Sequence, residues 1–149
     1  MKQENVSEKG TAEVTCKAFE LKGTFFKENC LPDLNNLLSE ATRHPMAYAS
    51  MKRQMETVVI NAVRMQLKGW QATNRVRLDI TWGEKVKGSL RDYDNVVSAG
   101  RKIINDALVK TKTIADDNPR FLGYGNNEFV YTDKPFIKVE IVEIEDFKK

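Results

Sequence analysis

The sequence predicts an α+β fold of two layers, with two main helices on one face of a small mixed β-sheet of about four strands. Two long segments carry apolar residues at helical spacing, and four shorter ones alternate apolar and polar residues or are rich in β-branched ones. These segments follow one another as strand, helix, strand, helix, strand, strand. Two amphipathic helices bury their apolar stripes by packing on another layer, and the strands provide that layer.

The first half of the chain is predicted to hold one strand and one long helix. Residues 1–12 are polar and are expected to form a disordered tail, so that a single domain spans 13–149. Residues 14–22 predict a strand, and 23–45 predict a loop that could include a short helical piece. A helix is predicted for 48–68, because apolar or long side chains recur there at helical spacing: Met51, Met55, Val58, Val59, Ala62 and Met65 or Gln66.

The second half is predicted to hold three strands and the second long helix. Residues 75–81 alternate in polarity, which is typical of a half-buried strand, and 83–91 form a loop with two glycines. The helix then opens at Asp92 or Asp94, and its apolar face consists of Val96, Val97, Gly100, Ile103, Ile104, Ala107 and Leu108. A loop at 116–127 leads to strands at 128–132 and 136–144, which are joined by a turn.

Composition excludes several functional classes. A net charge of +3, with 41% hydrophobic and 30% charged residues, is ordinary for a soluble globular domain. No apolar run approaches the roughly 20 residues that span a bilayer, and the polar N-terminus lacks a signal-peptide core, so we expect a cytoplasmic protein. Cys16 and Cys30 are too few for a zinc site and are expected to be reduced thiols. His44 is the single histidine and precedes Pro45, which excludes a Ser-His-Asp triad.

Two pairs of aspartates could bind a divalent cation. Asp92 and Asp94 lie two residues apart at the start of the second helix, and Asp116 and Asp117 follow its far end. Magnesium prefers carboxylate oxygens, and with it a protein can neutralise a phosphodiester and activate water. The ends of a helix of roughly 20 residues are about 30 Å apart. The two pairs can therefore meet only if the chain after the helix runs back along it.

A structural interpretation of the same aspartates stays open. Asp94 would suit a helix N-cap, and Asp92 would interact favourably with the helix dipole. Asp116 and Asp117 suit a turn. Basic side chains could bind DNA phosphates or could be ordinary solvated surface, both beside Asp92 and Asp94 (Lys85, Lys87, Arg91 and Arg101) and in a separate group (Arg43 and Lys52).

Several segments together resemble the RusA family of Holliday junction resolvases, which are mostly encoded by phages. The resemblance covers roughly residues 31–145 and is strongest at 91–95 (RDYDN), 104–108 (INDAL) and 115–118 (ADDN). The final strand, 136–141, also resembles the last strand of the family.

The resemblance implies specific roles for individual residues. Asp92, Asp94 and Asp117 correspond to essential, metal-linked aspartates. An essential lysine of the family lies one helical turn before its Asp-Ala-Leu sequence, which indicates Lys102, with Arg101 as the fallback. In shorter members of the family the lysine follows the second aspartate more closely, and counting that spacing from Asp94 gives Ser98, which is not basic. Ser98 and Lys102 are four residues apart, so a helix that is longer by one turn would place Lys102 on the same face.

The implied activity is resolution of branched DNA. A homodimer in the bacterial cytoplasm would cut four-way junctions by paired symmetric nicks. It would use Mg²⁺, for which Mn²⁺ could substitute, and no organic cofactor. Lys102 would stabilise the charge that develops on the phosphate. Two alternatives stay open from the sequence: a non-catalytic DNA-binding accessory protein on the same fold, and a metal-dependent phosphatase.

Overall fold

The computed structural model describes residues 15–148, which form three helices and a mixed sheet and confirm the predicted two-layer α+β class. The elements, in chain order, are β1 (Thr15–Lys22), α1 (Leu34–Arg43), α2 (Pro45–Leu67), β2 (Val76–Lys85), α3 (Tyr93–Lys110), β3 (Leu122–Gly123), β4 (Asn127–Thr132) and β5 (Phe136–Glu143). The tail predicted for 1–12 lies outside the described residues.

The sheet has the order β1, β5, β2, and both β3 and β4 pair with the remaining edge of β2. Strand β5 runs antiparallel to β1 and to β2, whereas β3 and β4 run parallel to β2. Lys22, the last residue of β1, and Gly83, near the end of β2, both pair with Phe136, the first residue of β5. Lys85 pairs with Thr132, so β2 and β4 end together. We call this the exit end of the sheet. Helix α3 begins at the same end, because only the loop 86–92 separates it from β2.

One face of the sheet is buried beneath α2 and α3. The alternation predicted for β2 is confirmed, since Val76, Leu78, Ile80 and Trp82 are buried and the residues between them are partly exposed. Helix α3 approaches Trp82 closely at Gly100, where an added Cβ would lie 2.5 Å from the indole ring. The opposite face of the sheet carries the other side chains of each strand, and we call it the open face.

Helix α2 begins three residues earlier than predicted, and its buried stripe differs at one end. The buried apolar residues are Met55, Val59, Val63 and Leu67. Met65 or Gln66 was expected on this stripe, but Met65 is 75% exposed and Gln66 is exposed as well, so that part of the prediction is wrong. Leu67 takes the place next to the core because it lies one helical turn after Val63.

Three predicted loops contain more regular structure than expected. Residues 34–43 form a full helix, α1, whose N-cap Asp33 accepts from the backbone of Asn36 at 2.8 Å while the Asn36 side chain accepts from the backbone of Asp33 at 2.9 Å. Strand β2 continues through Gly83 and ends at Lys85. The Phe136 ring packs over Gly83 so closely that a Cβ added to this glycine would lie 2.2 Å from the ring. The loop predicted at 116–127 also contains the two-residue strand β3.

Three further expectations concern single features. Among residues 15–148, no helix is both long and apolar enough to cross a bilayer. Both cysteines are free thiols; Cys16 is exposed and Cys30 is buried. The ring Nδ1 of His44 accepts a hydrogen bond from the backbone of Met46 at 3.0 Å, so this histidine caps α2.

Candidate metal and nucleic-acid site

A buried ion pair fixes the chain where α3 leaves the sheet. Arg91 donates to both carboxylate oxygens of Glu84, at 2.8 and 2.7 Å, and to the backbone carbonyl of Leu31 at 2.9 Å. Glu84 is buried at the end of β2, and Arg91 is largely buried as well. Bidentate guanidinium–carboxylate pairs have a fixed geometry. The pair therefore orients the residues that follow immediately, Asp92 to Asp94.

Asp92 and Asp94 are exposed, and their carboxylates are free of other contacts. Asp92 is the N-cap of α3 by backbone position, but its side chain makes no capping hydrogen bond. Asp94 lies in the first turn, where the helix dipole favours a negative charge. Neither carboxylate forms a hydrogen bond or ion pair with any part of the chain that the structure describes. The sequence analysis assigned the cap to Asp94 and the dipole contact to Asp92, but the structure exchanges these two positions, so that assignment is wrong. Both carboxylates remain available to a cation.

The second aspartate pair divides into a turn residue and a free carboxylate. Asp116 accepts from the backbone of Asp117 at 2.7 Å and from the side-chain amide of Asn118 at 3.0 Å. Asp117 is partly buried, and its own carboxylate contacts no donor within residues 15–148. The turn role considered for Asp116 is confirmed, whereas Asp117 keeps both carboxylate oxygens free.

The single chain does not bring Asp117 to the Asp92–Asp94 pair. Helix α3 has 18 residues and therefore extends about 27 Å from the exit end. The chain after α3 then joins the start of β2, where Leu122 pairs with Val76. Asp117 lies in this connection and hence at the opposite end of the sheet. Within 15–148, no three His, Cys, Asp or Glu side chains are grouped closely enough to hold a metal ion.

Lys102 lies on the exposed side of α3, and its ammonium group pairs with Asp106. The Nζ–Oδ1 distance is 3.3 Å, and the Lys102 side chain is 61% exposed. Lys102 is eight residues after Asp94, which corresponds to a rise of about 12 Å along the helix. The ammonium group is thus accessible to a ligand, but within the subunit it does not contact the aspartate pair.

Asp106 belongs to a network of charges between α2 and α3. Lys52 donates to Glu56 at 2.6 Å and to Asp106 at 2.7 Å, and Lys110 forms an ion pair with Glu56 on the other side. Burial raises the pKa of both carboxyls, but the hydrogen bonds and charges of the neighbouring lysines outweigh it and lower the pKa of Glu56 and of Asp106. The network fixes α2 against α3.

This network gives Lys52 a structural contact that the sequence analysis did not anticipate. Lys52 was predicted to bind DNA, yet its ammonium group lies between two carboxylates and only 22% of its side chain is exposed. Burial opposes the charged form of Lys52, but the hydrogen bonds to Asp106 and Glu56 prevail and raise its pKa.

Arg101 and Arg91, two further predicted DNA contacts, also bind groups within the fold. Arg101 donates to the side chain of Asn127 at 2.9 Å and to the carbonyls of Leu78 and Asn126 at 2.9 and 2.8 Å. Burial lowers the pKa of Arg101. These bonds hold α3 to β2 and to the start of β4, just as Arg91 holds the first turn of α3.

The remaining predicted DNA contacts face solvent. Lys85 ends β2 on the open face and is partly exposed, and Lys87 is exposed in the following loop. Neither lysine forms an ion pair with another residue of the described chain. Arg43 is exposed as well, but it pairs with Glu40 at 2.7 Å. Lys85 and Lys87 are therefore the cations of the predicted set whose side chains have no ion-pair or hydrogen-bond partner among residues 15–148.

Aromatic side chains beside the aspartate pair were missed by the sequence analysis. The ring of Tyr93 lies 4.5 Å from that of Phe129, centroid to centroid, and Phe129 stacks on Trp82. Burial and a hydrogen bond with Tyr93 raise the pKa of Tyr131. The alternation of Phe129 and Tyr131 along β4 was the available signal, but it did not reveal that α3 begins beside this strand.

Neither a scan against protein-family models nor a search of curated proteins finds a match to this chain.

Proposed function

We propose that this protein is a magnesium-dependent endonuclease for branched DNA, of the RusA type, which acts as a homodimer in the bacterial cytoplasm. The observation that carries the proposal is the pair of exposed carboxylates, Asp92 and Asp94, which the Arg91–Glu84 ion pair holds in place without using either of them. The resemblance of residues 91–95, 104–108 and 115–118 to that family adds the expected substrate.

The aspartate pair suits Mg²⁺ chemically. Protein sites for Mg²⁺ commonly use one or two carboxylates, while waters and substrate phosphates complete the octahedron. Asp92 and Asp94 offer two carboxylates without competing donors, at a helix N-terminus. When bound, Mg²⁺ would neutralise charge at the phosphate and lower the pKa of a water. Asp92 and Asp94 would hold the ion, and Lys85 and Lys87 would attract the phosphate backbone.

A homodimer is part of the proposal because one subunit is incomplete. Asp117 is free but lies at the opposite end of α3, so it can join the aspartate pair only from a second copy of the chain. Twofold symmetry then gives two equivalent sites, each with Asp92 and Asp94 from one copy and Asp117 from the other. Lys102, exposed on α3, would stabilise charge developing on the phosphate.

The decisive experiment uses a labelled synthetic four-way junction and a duplex of matched sequence. We expect Mg²⁺-dependent nicking of the junction, with Mn²⁺ as a substitute, and little cleavage of the duplex. Asp94→Asn should bind the junction and fail to cut it. Asp146→Asn, an equal charge change at an exposed residue after β5, is the control. Cleavage by Asp94→Asn at the wild-type rate would refute the metal assignment.

One observation favours a second candidate, a non-catalytic DNA-binding protein on the same fold. Asp117 lies far from Asp92 and Asp94 in the subunit, so a monomeric protein would lack the third carboxylate. This candidate predicts salt-sensitive junction binding without turnover in either cation. Hydrolysis of p-nitrophenyl phosphate with indifference to junctions would instead indicate a phosphatase.

A further inference from the structure

A cavity of about 640 Å³ lies at the exit end of the sheet, on its open face. It is formed where β1 and β2 end and β5 begins, and the turn between β4 and β5 closes one side. Three lysines line it: Lys22 from β1, Lys85 from β2 and Lys134 from the turn. The sequence analysis singled out only Lys85, because the other two are distant from it in the chain.

The lysines give this cavity a positive character despite two acidic neighbours. Glu20 and Asp133 also line it. Glu20 forms an ion pair with Lys22 at 3.5 Å, but the Lys22 side chain is 76% exposed. Exposed ion pairs of this kind are weak and readily exchanged for a stronger anion. Three cations against two carboxylates leave the cavity suited to phosphate groups.

The wall of the cavity is apolar. Pro135 and Phe136 line it, and the Phe136 ring is held over Gly83 of the neighbouring strand. An aromatic ring beside a row of cations is the arrangement by which proteins bind single-stranded nucleic acid, since bases stack on the ring and phosphates contact the cations. A base within a duplex is stacked inside the helix and does not reach such a wall.

We propose that this cavity binds an unpaired DNA strand, with phosphates on Lys22, Lys85 and Lys134 and a base against Pro135 and Phe136. The inference rests on the proposed function, which requires the protein to hold individual strands where the arms of branched DNA meet. The cavity and the Asp92–Asp94 pair lie at the same end of the sheet but on opposite faces, so a strand held in the cavity would pass around this end to reach the proposed cleavage site.

Fluorescence anisotropy with a labelled oligothymidylate, measured over a series of salt concentrations without Mg²⁺, tests this proposal. The double variant Lys22→Ala/Lys134→Ala should bind more weakly and reduce the slope of log affinity against log salt by about 1.4, since each phosphate contact to a single strand contributes about 0.7. An oligomer with an abasic position should bind wild-type protein roughly tenfold more weakly when that position occupies the cavity.

The control is Lys17→Ala/Lys148→Ala, which removes the same charge from exposed lysines remote from the exit end. It should leave the salt slope nearly unchanged, and thermal unfolding should show that both double variants are folded. If Lys17→Ala/Lys148→Ala lowers the slope of log affinity against log salt as much as Lys22→Ala/Lys134→Ala does, and wild-type protein still cuts the junction, the cavity proposal fails and the proposed function stands.

Two further outcomes would overturn the assignment. Absence of DNA binding by wild-type protein would refute both proposals together. Binding of thymidine monophosphate as tightly as the oligomer, lost in the Lys22→Ala/Lys134→Ala variant, would show that the cavity takes a free nucleotide and not a strand.

Discussion

Arg91 and Glu84 form a bidentate ion pair, with Nε–Oε1 and Nη2–Oε2 distances of 2.8 and 2.7 Å, at the point where the chain leaves the sheet for α3. Both side chains are largely buried, at 14% and 7% exposure. An arginine in a basic loop would be taken for a DNA contact. Its bonds to Glu84 and Leu31 instead fix the residue just before Asp92 to the end of β2.

Replacing Arg91 should therefore affect stability more than DNA binding. In Arg91→Met the Glu84 carboxylate is left buried without its partner, and we expect a loss of about 3 kcal/mol in the free energy of unfolding. Urea denaturation measures this. Adding Glu84→Gln should recover part of the loss, because the uncompensated charge is removed.

Lys87→Ala is the matched comparison for Arg91→Met. Lys87 is exposed and unpaired within the described chain, so its removal should leave stability unchanged and weaken DNA binding in a salt-dependent manner. The opposite pattern, in which Lys87→Ala unfolds easily and Arg91→Met affects only the salt dependence, would contradict the assignment of both residues.

Mixing two inactive variants should restore activity if Asp117 joins the site from a second copy. In a dimer of Asp94→Asn with Asp117→Asn, one composite site carries both substitutions and the other carries neither. Random assortment should therefore give about a quarter of wild-type site activity, since half of the dimers are mixed and each has one intact site. Single-strand nicking of a labelled junction measures it after the subunits are exchanged.

The same mixing experiment separates two arrangements of the site. If Asp94 and Asp117 act within one subunit, each site of the mixed dimer carries one substitution, and no activity returns. Mixing Asp94→Asn with Asp92→Asn is the control, because both residues belong to the same end of α3 and should fail to complement under the shared-site arrangement.

Lys102→Ala should lower the rate of cleavage much more than the affinity for the junction. Its ammonium group is exposed, and the ion pair with Asp106 contributes little to stability at this exposure. Single-turnover cleavage and anisotropy provide the rate and the affinity. Lys110→Ala is the control on the same helix, and an equal loss of rate there would count against a specific role for Lys102.

The network around Lys52 should make stability depend on pH. The pKa values of Glu56 and Asp106 are lowered in the folded protein from ordinary values of 4.5 and 3.8. A lowered carboxyl pKa stabilises the folded state above the unfolded pKa, and this contribution is lost as pH falls through the folded pKa. Stability from this network should therefore be complete at neutral pH and decline as pH falls below about 4.5.

Lys52→Met tests that dependence. At neutral pH it should cost about 2 kcal/mol, less than for a fully buried pair because 22% of Lys52 is exposed. The cost should shrink in acid, where protonated carboxyls no longer need a cation. Urea denaturation across this range measures it, with Arg53→Met, an exposed neighbour on α2, as control. A cost that is independent of pH would show that packing dominates.

The sequence by itself determined the elements whose pattern is local. Alternation identified β2, because every second side chain of a half-buried strand must be apolar, and helical spacing identified α2 and α3. It also marked Asp92 and Asp94, since two carboxylates so close in the chain remain close in any fold. The helix of 34–43 was expected at most as a short helical piece, because its cap, Asp33 with Asn36, lies in a polar segment with only one buried side chain, Leu37.

Only the tertiary structure decided which cations are free and which aspartates can meet. Arg91, Arg101 and Lys52 are like any other basic residues in the sequence, and the partners that bind them come from distant segments. Asp117 resembles Asp92 and Asp94 in composition, but the path of the chain after α3 carries it to the far end of the sheet. Such contacts depend on which strands pair and where helices end, and local patterns do not contain that information.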